Sequence, residues 1–284
     1  MRILFLGDVV GRAARSAVMG TMPGLRQALD LDFVVVNGEN AAGGRGLTVQ
    51  MARDFYAAGV DVLTTGNWVW GQREIIAYID SDPRLLRPLN FPPGSPGLGA
   101  GLFDARGRRK VAVIHVIGRV HMEPMDDPFQ AAERALERYS LGGAADAIIL
   151  DVHGEATSEK QALAHAVDGR VSVVVGSHTH VPTADNHILP GGTAYQSDAG
   201  MCGDYNSVIG YDTDHWVQRF VRKLPMAHPA GVAGGEPSLC GLFVETDDAT
   251  GLARRQAPVR LGGVLSPAWP GDSPPPPLIL LDTV

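Results

Sequence analysis

Short, nearly unbroken apolar runs recur through the first two thirds of the chain: RILFL at 2 to 6, FVVVN at 33 to 37, DVLTT at 61 to 65, VAVIHV at 111 to 116, AIILDV at 147 to 152 and VSVVVG at 171 to 176. Runs of this length without polar alternation predict strands covered on both faces. Between them, Arg12 to Leu29, Thr48 to Ala58, Gln72 to Asp80, Asp127 to Tyr139 and Ser158 to Val167 are predicted helices. Asp127-Pro128 suits a cap followed by proline in the first turn, and Ser158 suits an N-cap. Strands alternating with helices in this way predict a layered α/β fold.

From Gly191 onward the pattern changes to short extended runs in a glycine-rich background, TAYQS, CGLFVET and APVRL, which predict antiparallel strands completing a second sheet. Neither a linker nor an internal repeat divides the chain, so one domain over residues 1 to 264 is the simpler reading. Residues 265 to 284, with the SPPPP run, predict a mobile or polyproline-like tail. FPPGSPGLGAG, 91 to 101, predicts an irregular surface excursion.

A chain of 284 residues with 45% hydrophobic and 19% charged residues can bury a sizeable core. Its net charge of −7 offers no basic footprint for duplex nucleic acid. No apolar run reaches membrane-spanning length, and MRILFLGDVV reads as a buried strand rather than a secretion signal, so a cytoplasmic location is expected. Cys202 and Cys240 are far apart and lack metal spacing, which predicts reduced core thiols.

Polar clusters follow five of the apolar runs directly: GDVV, NGEN, GNW, DVHGEATSEK and GSHTH. In open α/β sheets the carboxyl ends of strands converge on the ligand site. Asp8, Glu39, Asn40, Asn67, His153, His178 and His180 therefore predict one site of carboxylates, amide oxygens and imidazoles without thiolate. Such a mixed set suits Mn, Fe, Zn or Co better than Mg alone. Seven ligands exceed one tetrahedral ion and suit two divalent ions, an arrangement fitted to in-line displacement at phosphorus. On an extended segment His178 and His180 point the same way and reach adjacent ions. GDVVGR lacks the third glycine of a dinucleotide loop and the lysine of a P-loop, so a nucleotide cradle is not predicted. Thr157, Ser158 and Glu159 read as a loop and helix cap, and Arg119 as a surface ion pair. His115, His121, His165, His187, His215 and His228 read as structural, and Trp70 as packing.

The ordered set GD, NGEN, GN, DVHGEATSEK and GSHTHVPTAD, with RPLNFPPGSPG and ILPGGTAYQSDAG, resembles the YmdB-like branch of the calcineurin-like metallophosphoesterases from Met1 to about Leu261. The resemblance implies an α/β/β/α sandwich of two mixed sheets and a dinuclear centre, of iron or manganese by preference. It implies that Asp8, Asn40 and His180 serve one metal, that Asn67, His153 and His178 serve the other, and that Glu39 bridges. It also implies hydrolysis of small phosphoesters, with 2',3'-cyclic nucleotides the leading substrate class. Homo-oligomers are common among soluble enzymes, so a dimer or tetramer is the default expectation.

The stretch after the third strand departs from the family pattern, which often continues into Trp-Asp where this chain has Trp70-Gly71. Where the family has Gly-Asn-His and its histidine protonates the leaving oxygen, this chain has Gly66-Asn67-Trp68. An indole N-H does not give up its proton. The expected outcome is an impaired phosphodiesterase; the alternative is a catalytically weak regulatory or scaffold protein that senses a phosphorylated ligand.

Overall fold

Two mixed sheets lie face to face between two layers of helices in the computed structural model, which describes residues 1–281. In chain order the strands are β1 (Arg2–Leu6), β2 (Phe33–Asn37), β3 (Val62–Thr64), β4 (Leu85–Leu86), β5 (Ala100–Asp104), β6 (Lys110–Ile117), β7 (Ala147–His153), β8 (Val173–Ser177), β9 (His187–Ile188), β10 (Ala194–Gln196), β11 (Gly203–Asp204), β12 (Pro237–Thr246) and β13 (Ala253–Leu261). The helices are α1 (Gly11–Ala28), α2 (Val49–Ala58), α3 (Arg73–Tyr78), α4 (Pro128–Arg138), α5 (Thr157–Ala166) and α6 (Thr213–Arg222). One sheet runs β11-β12-β1-β2-β3-β4 with β13 on β12; the other runs β5-β6-β7-β8-β10-β9.

The pleat explains why the apolar runs are unbroken. Ile3, Phe5, Phe33 and Val35 face Val111, Val113, Ile149 and Val175 between the sheets, while Leu4, Leu6, Val34 and Val36 meet α1 and α2. Ala112, Ile114, Ile148 and Leu150 turn outward onto α4 and α5. Successive strand residues thus enter different cores, each apolar because helices cover both outer faces.

The helix ends follow local chemistry. Thr48 caps α2 through Met51 N, and the Asp127 carboxylate accepts from Phe129 N and Gln130 N at α4. The expected Ser158 cap does not form, because α5 begins one residue earlier, after Ala156. That start turns Glu159 inward, where its carboxylate accepts from Arg119 N and Val120 N. Arg119 itself forms the predicted surface pair, 3.4 Å from Asp127.

Three expectations for the second half need correction. CGLFVET and APVRL, in β12 and β13, join the first sheet rather than a second one, because β12 pairs antiparallel with the whole of β1 and β13 pairs with β12. The stretch between β11 and β12 contains α6, capped by Asp212 on His215 N and ended by Lys223 at φ 55°. The proline-rich tail is not free. Gly20 and Gly24 leave a shallow track on α1 that Ile279 and Pro276 fill, and Ile279 N donates to Thr21 Oγ1 at 2.9 Å. The tail's last residues, 282 to 284, lie outside the described residues. Cys202 and Cys240 are buried and unbridged as expected.

Candidate metal centre

Strands β1, β2 and β3 are parallel to one another, as are β6, β7 and β8. Their carboxyl ends therefore open on one edge, and the polar clusters follow them there. Asp8 comes just after β1, Glu39 and Asn40 after β2, Asn67 after β3, His153 ends β7, and His178 and His180 follow β8. Asp8, Glu39 and His153 are almost wholly buried.

The side chains fall into two groups. His153 Nε2 lies 2.7 Å from Glu39 Oε2, 3.0 Å from Asn67 Oδ1 and 3.1 Å from His178 Nδ1. His180 Nε2 lies 3.2 Å from Asn40 Oδ1 and 4.0 Å from Asp8 Oδ1. Glu39 also accepts a hydrogen bond from Trp68 N at 2.6 Å, and Asp8 accepts one from His178 N at 3.1 Å.

The roles of these atoms follow from what lies behind them. Ser177 Oγ donates to Asp151 Oδ1, so it accepts from His153 Nδ1 at 2.9 Å and leaves Nε2 with a lone pair toward the site. His180 Nδ1 donates to Ile209 O at 2.7 Å, which points its Nε2 lone pair inward. Asn40 Nδ2 donates to Gly44 O, which fixes its oxygen toward His180. Each group thus gathers acceptors around a point with no donor, and Asp8 Oδ1 is buried without a partner among the described residues. A divalent cation would satisfy such a set. Glu39, His153 and His178 offer ligand atoms within 4.8 Å of one another.

Without such a cation a proton takes its place. Burial lowers the His153 pKa, but the Glu39 carboxylate, with Asp8 and Asp151 behind it, outweighs this and raises it to about 9. Burial raises Asp8 to about 6 against the pull of His180 and His153. Burial, then neighbouring His153, lowers His178 to about 3, so its imidazole is neutral and free to ligate.

The expected extended GSHTH segment is not present. β8 ends at Ser177, and His178 and His180 adopt φ of 100° and 66°. Left-handed backbone at non-glycine residues costs of order 1–3 kcal/mol and persists only where its surroundings enforce it. Here Asp8 holds His178 N and Asp198 holds Thr179 N. The kink sends the two imidazoles into different groups instead of along one face.

Several supporting residues escaped sequence reasoning. Asn37 donates to Thr65 O at 2.8 Å and Ser177 Oγ at 3.3 Å and accepts from Glu39 N, bridging the two sheets beneath the site. Lys160, wholly buried, donates to Ser177 O and Asp198 Oδ2. GEATSEK is therefore more than a helix cap, since Glu159 and Lys160 brace the strand ends. Gly66 is required by space: a Cβ there would overlap His153 Nε2 and Glu39 Oε2. A glycine preceding a ligand-type residue at a strand end was the available signal.

Above the cluster lies a cavity of about 630 Å³ that includes Glu39, Asn40, His178 and His180 in its lining. Trp68, 39% exposed, forms part of its wall. His215 and His228, expected to be structural, line it too, carried there by α6 and the loop that follows. His115 is structural as expected, with Nδ1 at 3.2 Å from Asp151, and Trp70 packs edge-on to Phe91.

A family model described as YmdB-like protein matches residues 4–259. The chain is 44% identical over 250 residues to the 2',3'-cyclic-nucleotide 2'-phosphodiesterase of Bacillus subtilis (strain 168), covering 88% of this chain and 93% of that protein. It superimposes on the crystal structure of a hypothetical protein from Thermus thermophilus with a TM-score of 0.85 and 40% identity, over 93% of this chain and 100% of that one. A novel phosphatase from Mycoplasma pneumoniae matches with a TM-score of 0.85 and 32% identity, over 92% and 93% of the two chains. With the sandwich, its converging strand ends and matches that run nearly the length of the chain, the conclusion is that this protein belongs to the YmdB-like family.

Proposed function

We propose that the protein is a dinuclear metal-dependent phosphodiesterase of small phosphoesters, acting on 2',3'-cyclic nucleotides and impaired by Trp68. The observation that carries this reading is the donor-free ring of acceptors around His153 Nε2 and His180 Nε2. Asp8, Asn40 and His180 would hold one divalent ion and Asn67, His153 and His178 the other, with Glu39 between them. Iron or manganese is the favoured pair. Two such ions, when bound, supply positive charge against the phosphoryl oxygens and make water nucleophilic at neutral pH.

The chain's own residues set the rest. Ser177 and Ile209 orient the two imidazoles, and burial keeps the carboxylates away from bulk water. Arg45, whose guanidinium lies 4.7 Å from the Trp68 ring centre, brings positive charge to the cavity wall. By the family resemblance Trp68 stands where a proton-donor histidine would be, and an indole cannot release a proton. Esters with acidic leaving groups depart unprotonated and are spared; ribose esters are not. No helix among the described residues is long and apolar enough to cross a membrane; a cytoplasmic location stays an expectation. A homo-oligomer is the accompanying expectation.

Trp68 also favours a second reading, a catalytically weak metal-binding protein that senses a phosphorylated ligand. Turnover of 2',3'-cyclic AMP and of an activated aryl phosphodiester by the wild type and Trp68→His, each loaded with Mn or Fe, separates the two. Histidine is expected to raise the cyclic nucleotide rate by about 10²- to 10⁴-fold, the typical contribution of a positioned acid, and to leave the aryl ester within about tenfold. Failure of both proteins on both esters, with two ions bound per chain, would sink the phosphodiesterase reading in favour of the sensor.

A further inference from the structure

The cavity over the acceptor cluster is far larger than a phosphoryl group needs. At about 630 Å³ it falls within the range of sites that enclose a whole small ligand. Its wall includes two tryptophans, each with a guanidinium over its ring: Arg45 at 4.7 Å from the Trp68 centre and Arg219 at 5.7 Å from the Trp216 centre. A cation held over one face of an indole fixes the ring; the Trp216 ring is also stacked on Phe220 at 5.8 Å, so what it offers the cavity is the part of its surface that lines the wall. The two arginines bring positive charge to a wall that also carries the Glu39 and Glu155 carboxylates, with Glu39 at the base where the metal ions would sit.

Helix α6 supports the same conclusion from a different direction. None of its residues is buried, so core packing does not explain its place in the fold. Trp216 is nonetheless partly covered at the cavity rim, and its Nε1-H is buried without an acceptor among the described residues. An unmade bond of this kind in a cavity wall is one that a ligand's ring nitrogen or carbonyl can complete after a small ring rotation.

We infer that Trp68 and Trp216 form an aromatic subsite for the nucleobase of the substrate, with Arg45 and Arg219 supplying the charge that draws its phosphate. The inference rests on the phosphodiesterase reading and narrows it: the preferred ester carries a base, and α6 is the element that recognises it. Base-on-aromatic stacking contributes roughly 1 to 3 kcal/mol per base.

Calorimetric titration of the Mn-loaded protein with adenosine 3'-monophosphate and with inorganic phosphate tests this without turnover. The wild type is expected to bind the nucleotide about tenfold or more tightly than phosphate, the factor that stacking of this size gives. Trp216→Ala is expected to weaken the nucleotide by about tenfold or more and leave phosphate within about twofold, while Trp216→Phe keeps most of the affinity. Because α6 buries nothing, the far-UV circular dichroism of both variants should match the wild type. Equal affinity for nucleotide and phosphate in the wild type, equal loss of both in Trp216→Ala, or tighter nucleotide binding after truncation would each overturn the subsite. Turnover of 2',3'-cyclic AMP and of the activated aryl phosphodiester by the wild type and Trp68→His, measured in parallel, keeps the two readings apart. Base-dependent binding with neither ester hydrolysed by either protein removes the phosphodiesterase reading and leaves the subsite; hydrolysis with base-independent binding does the reverse.

Discussion

The base of the cavity and its outer wall are built on opposite terms. At the base, Asp8, Glu39 and His153 are almost wholly buried, and each is held by neighbours that are themselves held. In the outer wall, α6 buries no residue, and Phe220 and Val221 are 59% and 74% exposed. The base is over-determined by the two sheets that converge on it, so its geometry cannot vary without cost to the fold. The wall is joined to the sandwich at its ends and can vary almost freely. Chemistry placed in the first and selectivity placed in the second can then change independently.

The comparison can be broken most forcefully at Lys160. Its ammonium is 3.0 Å from the Asp198 carboxylate, both side chains 1% exposed, and it also holds Ser177 O. Lys160→Ala leaves a buried carboxylate uncompensated, which typically costs about 3 to 5 kcal/mol. Urea denaturation should show a loss of that size. A loss under about 1 kcal/mol would mean that the base is not secured through this pair.

Gly66 tests the same region through space instead of charge. A methyl at this position overlaps His153 Nε2 and Glu39 Oε2, so one of them must move. Overpacking of this kind costs about 1 to 3 kcal/mol. For Gly66→Ala we expect a lower melting temperature together with loss of bound metal, read by elemental analysis of the purified protein. Full metal content at a wild-type melting temperature would show that the cluster is looser than its burial implies.

How much of this was legible in the sequence divides along the same line. Asp8, Glu39, Asn67 and His153 stand just beyond apolar runs, and parallel pairing of those runs brings their ends to one edge, so their convergence could be read from pattern alone. The kink at His178 and His180 could not, because it depends on Asp8 and Asp198 from distant parts of the chain capturing two backbone N-H groups. Glu159 was misread, and Lys160 passed over, because a polar helix start looks the same whether water or a strand end lies beneath it. The sheet joined by β12 was misassigned because an extended run does not name its partner. Helix α6 was missed although Trp216, Val217, Phe220 and Val221 have helical spacing. Its glycine-rich flanks argued for strands, and no burial pattern marked one face as inner. The tail was misjudged because two glycines and two hydroxyls of α1, not its own composition, hold it.

The smallest expected effect sharpens the comparison most. Val221 is the most exposed large apolar residue of α6 and does not line the cavity. A substitution there removes no buried contact and no ligand contact. Val221→Ser should therefore change stability by no more than about 0.5 kcal/mol, as for ordinary surface sites, and leave nucleotide affinity unchanged where Trp216→Ala does not. A loss above about 1 kcal/mol in thermal denaturation would mean that the helix is packed against something in solution. The outer wall would then be as constrained as the base, and the freedom claimed for it would belong to the isolated chain alone.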